Sequence, residues 1–258
     1  MRTVTATRYV TPLREGGSLP AIIEADDEGL YVLKFRGAGQ GPKALVAELL
    51  GGGIARSLGL AAPEVVLVEL DADLARTEPD AEVQDLIRRS AGLNVALDYL
   101  PGSISFDPLV CPVDPQYASR VVWLDAFICN VDRTPRNVNM LLWHARPWLI
   151  DHGAALYFHH AWKQGDDPHA NPFALIKDHV LLPWADDIAA AHADCRSRLS
   201  AAAIDALVGE IPDAWLEGDT GFDGIAPQRE AYVRFFNRRL AHGESFVQEA
   251  IRARAAYV

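Results

Sequence analysis

Asn130-Val-Asp132-Arg-Thr-Pro-Arg-Asn137, with Ile150-Asp151-His152-Gly153 downstream, is the stretch on which the reading of this chain turns. An Asp followed five residues later by an Asn arises often by chance, so the pair gains weight only from its surroundings. Upstream, residues 116–129 (QYASRVVWLDAFIC) read as an apolar helix. Downstream, 138–143 (VNMLLW) and 147–150 (PWLI) read as a short hairpin turning across His144-Ala-Arg. Such a hairpin carries Asn137 and Asp151 to the same end, where an amide oxygen and a carboxylate can reach one cation. Phosphoryl transfer needs a set of this kind: one carboxylate to take a hydroxyl proton, and an Asn and a second Asp to hold magnesium on the phosphates. Magnesium prefers hard oxygens and few protein ligands, which the pair supplies.

Working outward toward the N-terminus, residues 3–11 (TVTATRYVT), 19–24 (LPAIIE) and 30–36 (LYVLKFR) are rich in β-branched and aromatic residues between turn clusters. They read as three antiparallel strands. Gly37-Ala-Gly-Gln-Gly41-Pro42 then leads into a helix, KALVAELLGGGIARSLGL. Each of Gly51 to Gly53 costs about 1 kcal/mol against Ala in a helix interior, so close packing is expected there. A strand at 64–70 follows, then a helix with Thr77 as N-cap and Pro79 just inside it, running to Arg89 and closed by Gly92. A strand at 94–100 stops at Pro101-Gly102. On the C-terminal side, residues 152–183 read as a long functional loop, and helices fill about 184–210 and 226–256. The expected class is α+β, with a β-rich part at 1–100 and a mainly helical part at 101–258.

Only four of the 24 basic residues are Lys, namely Lys34, Lys43, Lys163 and Lys177. Lys34 is central in the third strand, facing opposite to Leu33 and Phe35, where kinases place their nucleotide-binding lysine. The bland alternative is a solvated residue on an open sheet face. Glu48 on the next helix is a candidate partner for it. The turn Glu15-Gly16-Gly17-Ser18 can lie over phosphates, because glycines let backbone amides approach closely. The Gly37–Gly41 joint is not a P-loop, since Pro42 intervenes before Lys43 and Ala44 stands where the hydroxyl belongs. His144, His152, His159 and His160 gather in sequence around Asp151 and raise a rival reading, a metal-dependent phosphohydrolase, although HxH and HxxxH spacings are absent. Trp123, Trp143, Trp148 and Trp184 read as core aromatics.

The 258 residues carry a net charge of −11 and are 50% hydrophobic, which suits a globular protein and argues against a general nucleic-acid partner. Three scattered Cys indicate neither a disulfide framework nor a zinc site and point to a reducing, cytoplasmic setting. No signal-peptide core or membrane-spanning run is present in the sequence.

The combination of Gly16-Gly17-Ser18, Val32-Leu-Lys34-Phe, Gly39-Gln-Gly41-Pro-Lys43-Ala-Leu, Asn130-x-Asp132-Arg-x-x-x-Asn137 and Ile150-Asp151-x-Gly153 resembles the HipA-like kinases, bacterial atypical kinases related to the phosphoinositide kinases. The resemblance covers roughly residues 5–185. It implies a two-lobed protein-kinase-like fold and an ATP- and Mg²⁺-dependent transfer to a hydroxyl acceptor, either on a protein, where it includes possible autophosphorylation, or on a small molecule. By resemblance, Asp132 is the catalytic base and Lys34 contacts the nucleotide phosphates. Asn137 and Asp151 bind the metal, and Asp98, Tyr99 and Leu100 form the hinge that touches adenine through backbone groups. Gly16, Gly17 and Ser18 form the flexible loop in which toxin-type members can autophosphorylate. Thr134 stands where those members often carry His, and the chain lacks their additional N-terminal subdomain. These departures leave the acceptor open, with a catalytically silent nucleotide-binding module as the alternative.

Overall fold

The computed structural model describes residues 1–13, 19–218 and 221–257. Its first strands bury alternate residues, and where the alternation slips a bulge accounts for it. In β1 (Thr3–Pro12) the buried side chains are Val4, Ala6 and then Tyr9, and register shifts against β2 fall between Ala6 and Arg8 and again between Tyr9 and Thr11. β2 (Ala21–Ala25) and β3 (Leu30–Lys34) send Ala21, Ile23, Tyr31 and Leu33 to the same interior. β4 (Val65–Leu70) and β5 (Gly92–Asp98) complete a closed barrel in the order β1-β2-β3-β5-β4.

The three N-terminal strands are antiparallel, as the sequence indicates, but the sheet closes through a parallel pair, Val4 opposite Val68. Closure removes the free edges that an open sheet would present. Before α2 (Ala81–Arg89) the sequence expectation fails. Asp80, not Thr77, is the N-cap and accepts from the Glu82 N–H, while Thr77 ends a separate 3₁₀ turn and its hydroxyl donates to the Leu74 carbonyl. Pro79 lies in the extended link between them. α2 caps the barrel with Val83, Leu86 and Ile87.

α1 (Pro42–Ser57) packs between the barrel and the second half of the chain, and its glycines mark the approaches. A Cβ on Gly51 would stand 2.5 Å from His152 Cβ, one on Gly52 3.0 Å from Val65 Cγ2, and one on Gly53 2.5 Å from Leu207 Cδ2. Nothing larger than hydrogen fits there without movement.

α3 (Pro115–Phe127) is the central helix of the second half. Trp123 stacks on Phe127 at 4.9 Å, with Phe246 and Phe236 beside them. Trp123 is buried, whereas Trp143, Trp148 and Trp184 are only half-buried. β6 (Ile104–Ser105), β7 (Met140–Trp143) and β8 (Arg146–Leu149) form the small sheet. Residues 152–183 run as loop with short 3₁₀ turns. The expected C-terminal helices are interrupted: α4 (Ile188–Arg198) starts at an Asp187 cap and α5 (Ala201–Gly209) at a Ser200 cap, and Gly243 separates α6 (Ile225–Ala241) from α7 (Glu244–Ala255). Residues are 44% helical and 18% strand. Among the described residues no helix is long and apolar enough to cross a membrane.

Candidate active site

Alternation in β3 decides where Lys34 goes. Tyr31 and Leu33 fill the barrel, so Lys34 points the opposite way, toward α1, and is buried rather than solvated. Its ammonium lies 2.8 Å from Asp151 Oδ1 and 3.9 Å from Glu48 Oε2. Burial alone would push the ammonium down, but Asp151 and Glu48 outweigh it and hold the group above its ordinary value. Glu48 is 1% exposed, and among the described residues its carboxylate has no hydrogen bond within ordinary reach, only Lys34 and, at 3.6 Å, His152 Nδ1. Desolvation would raise that carboxyl; the Lys34 charge overrides it and keeps Glu48 ionised. Lys34 is thus shared between two acids, held tightly by one and loosely by the other.

Asp132 sits on the irregular link after α3, half-buried. Its Oδ2 accepts from Asn137 Nδ2 at 2.7 Å and from Asn139 Nδ2 at 3.3 Å. Oδ1 has no hydrogen bond among the described residues, so one carboxylate oxygen is oriented and the other is available to a proton donor. Asn137 donates its amide nitrogen to Asp132, and its Oδ1 has no hydrogen bond among the described residues. The hairpin does bring Asn137 and Asp151 together, as Lys34, Glu48, Asp132, Asn137, Asp151 and Gly153 all line one cleft of about 490 Å³. Asp151 holds φ 54° and Asn139 φ 49°, left-handed conformations that Asp and Asn tolerate better than most residues.

The other expected residues fare differently. Gly16, Gly17 and Ser18 lie outside the described residues. Asp98, Tyr99 and Leu100 are not part of the cleft lining. The Asp98 N–H is donated to the Glu64 carbonyl and the Tyr99 N–H to the Leu30 carbonyl, while the Leu100 N–H has no partner among the described residues. Lys43 turns away from the cleft and donates to the carbonyl of His159 at 2.6 Å. The four histidines do not form one cluster: His144 is exposed on the hairpin turn, His152 packs on α1, and His159 Nδ1 pairs with the Tyr232 hydroxyl. Sequence reasoning missed Asn139, and it missed Asp125, Arg133 and His179 beneath the loop. The one available signal was Asp125 itself, a lone acid inside an apolar helix.

A small barrel and a helical half, with a buried lysine paired to a helix-borne glutamate and facing an Asp-Asn-Asp set across a cleft, define a protein-kinase-like phosphotransferase. The family profile of the HipA-like kinases matches residues 7–242, and the chain belongs to that family. No curated protein matches the chain. Among solved structures, the Helicobacter pylori proinflammatory kinase CtkA is similar with a TM-score of 0.54 and 14% identity, over 99% of each chain. The Golgi casein kinase with Mn/ADP bound is similar with a TM-score of 0.52 and 12% identity, over 96% of this chain and 74% of that one. At such identities these likenesses speak to the fold alone.

Proposed function

We propose that this kinase transfers the γ-phosphoryl group of ATP, with Mg²⁺, to a hydroxyl acceptor. The observation that carries the proposal is Lys34 bridging Asp151 and Glu48 on the same cleft that Asp132 and Asn137 line. The donor set fits the metal: an Asn137 amide oxygen and an Asp151 carboxylate are hard ligands, and two are enough for an ion that keeps several waters. When bound, the ion neutralises charge on the phosphates.

The chain's own groups do the remainder. Lys34 neutralises Asp151; were Asp151 to hold a cation, Glu48 and phosphate oxygens would be the partners left to the Lys34 ammonium. Asp132 Oδ1 accepts the acceptor's hydroxyl proton, with Oδ2 fixed by Asn137 and Asn139. The Leu100 N–H, on the hinge Asp98-Tyr99-Leu100, is the donor available to adenine. Rate enhancement comes from positioning and charge rather than a covalent intermediate. We take 1–100 as the nucleotide-binding lobe and 101–258 as the catalytic lobe. Free thiols at Cys111, Cys129 and Cys195 are in keeping with a reducing cytoplasm.

Calorimetric titration with ATP, in Mg²⁺ and in EDTA, tests the reading. The wild type should bind with a Mg²⁺-dependent component that Asp151→Ala abolishes; an unchanged titration removes the metal role. Mass spectrometry after incubation with MgATP separates enzyme from silent module. Phosphate on Ser18 or on an added acceptor supports transfer, and ATP recovered unchanged opposes it.

A further inference from the structure

Beneath the catalytic loop lies a carboxylate that the chemistry above does not use. Asp125, in the last turn of α3, is fully buried, and three side chains converge on it. Arg133 Nε donates to its Oδ2 at 2.6 Å, His179 Nε2 reaches the same oxygen at 2.8 Å, and Asn130 Nδ2 donates to Oδ1 at 3.0 Å. Burying an ion pair is costly unless its remaining hydrogen-bonding capacity is met, and here most of it is met by groups that lead elsewhere, with Arg133 Nη2 left without a partner among the described residues.

Each partner continues to a different part of the site. Asn130 Oδ1 accepts the Asp132 N–H at 3.2 Å. Arg133 Nη1 donates to the Asn139 carbonyl and, at 3.3 Å, to the carbonyl of Ile150, the residue before Asp151. The Arg133 carbonyl accepts from Val180 N–H at 3.0 Å, and His179 Nδ1 accepts from Leu181 N–H at 3.0 Å. Because Nδ1 accepts a backbone N–H it carries no proton. The imidazole is therefore neutral and donates from Nε2 to Asp125. The two paths from Asp125 end on the two residues that must keep a fixed separation, the base and the metal ligand.

We propose that Asp125 is a positioning residue: through Asn130 it sets the Asp132 backbone, and through Arg133 and the Ile150 carbonyl it sets Asp151. This rests on the roles assigned to Asp132 and Asp151 above. In Asp125→Asn the new amide must direct its NH₂ either at His179 and Arg133 or at the Asn130 NH₂. Inverting Asn130 to relieve the second clash turns its NH₂ onto the Asp132 N–H. The mismatch cannot be absorbed locally and reaches the base.

The test compares Asp125→Asn, Asn130→Ala and the exchange Asp125→Asn with Asn130→Asp, using ATP turnover with water as acceptor, MgADP calorimetry, and amide hydrogen exchange. A displacement of about 1 Å at a catalytic group is worth about 10²-fold in rate, so Asp125→Asn should lower turnover by about that factor and weaken MgADP binding. Asn130→Ala cuts one path only: turnover falls, MgADP affinity stays within about twofold, and exchange rises at 130–134 but not at 150–153. The exchange variant restores the Asp132 N–H acceptor and recovers turnover over Asp125→Asn. Two results overturn the proposal: a folded Asp125→Asn with wild-type turnover and affinity, or an Asn130→Ala that loosens both segments equally. A wild type that binds MgADP without turning over ATP refutes the kinase mechanism instead, and the exchange patterns then decide the proposal alone.

Discussion

Replacing Gly51 by Ala probes the contact between α1 and the Asp151-His152 segment. The added Cβ would stand 2.5 Å from His152 Cβ and 2.9 Å from its Cγ, about 1 Å inside the 3.4–4 Å of ordinary contact. Removing a glycine from a helix interior contributes about 1 kcal/mol, and overpacking a closed site costs about 1–3 kcal/mol. The net effect is a loss of up to about 2 kcal/mol, or up to about 8 °C at about 2–4 °C per kcal/mol for a chain of this size. Gly53→Ala makes the same 2.5 Å approach, but to Leu207 Cδ2, the end of a half-buried flexible side chain. It should keep most of the helix gain and melt about 2–4 °C higher than wild type. The variants differ again in ligand binding. His152 adjoins Asp151, so Gly51→Ala should weaken MgADP by about fivefold, equivalent to about 1 kcal/mol, and Gly53→Ala should not. Scanning calorimetry and MgADP titration of the two proteins check both. Equal stabilisation by the two alanines, with equal MgADP affinity, would refute the argument that His152 is wedged against α1.

Lys34→Met leaves Glu48 buried without its cation and should destabilise by about 3–5 kcal/mol, read by urea unfolding; Lys34→Met with Glu48→Leu should recover most of it. Stability should be level just above neutral pH, up to the alkaline range where the buried Cys129, Cys195 and Tyr232, all held protonated by burial, would ionise in the unfolded chain, and should fall in two stages below neutral. His159 and His179 have their ordinary 6.5 lowered by burial, so their protonation favours the unfolded chain, and the first loss begins as pH drops through about 6.5. For Glu48 and Asp125, burial is overridden by Lys34 and Arg133 respectively, which hold both carboxyls low; their contribution is complete above about pH 4.5 and is lost as pH falls through the lowered values. Urea midpoints that do not change between pH 7 and 5 would contradict the histidine stage.

That these residues belong together was legible because the pattern is distinctive: a strand Lys in a lysine-poor chain and an Asp-Asn-Asp set spaced by a hairpin, which the fold brings to one cleft. The strands were legible too, since alternation is local. Barrel closure was not, because the β1–β4 pairing depends on a register between segments some sixty residues apart that no local pattern encodes. At α2 two local rules competed. Pro79 suggested a first helical turn after a Thr77 cap, whereas Asp80 supplied the stronger cap at the true start. Gly51 to Gly53 announced close packing but not its partners. Lys43 illustrates the limit of counting scarce residues: as rare as Lys34, it is used by the fold to tie α1 to the His159 carbonyl. The Asp125 cluster was hidden because His179 reaches it from 54 residues away and only burial reveals the convergence.

The central claim is that Asp132 takes the acceptor's proton in a site whose nucleotide contacts lie elsewhere. ATP turnover and MgATP affinity of Asp132→Asn, measured beside the wild type, test it most directly. The account predicts turnover lower by about 10²–10⁴-fold with MgATP affinity retained. Turnover equal to wild type in the variant would contradict it.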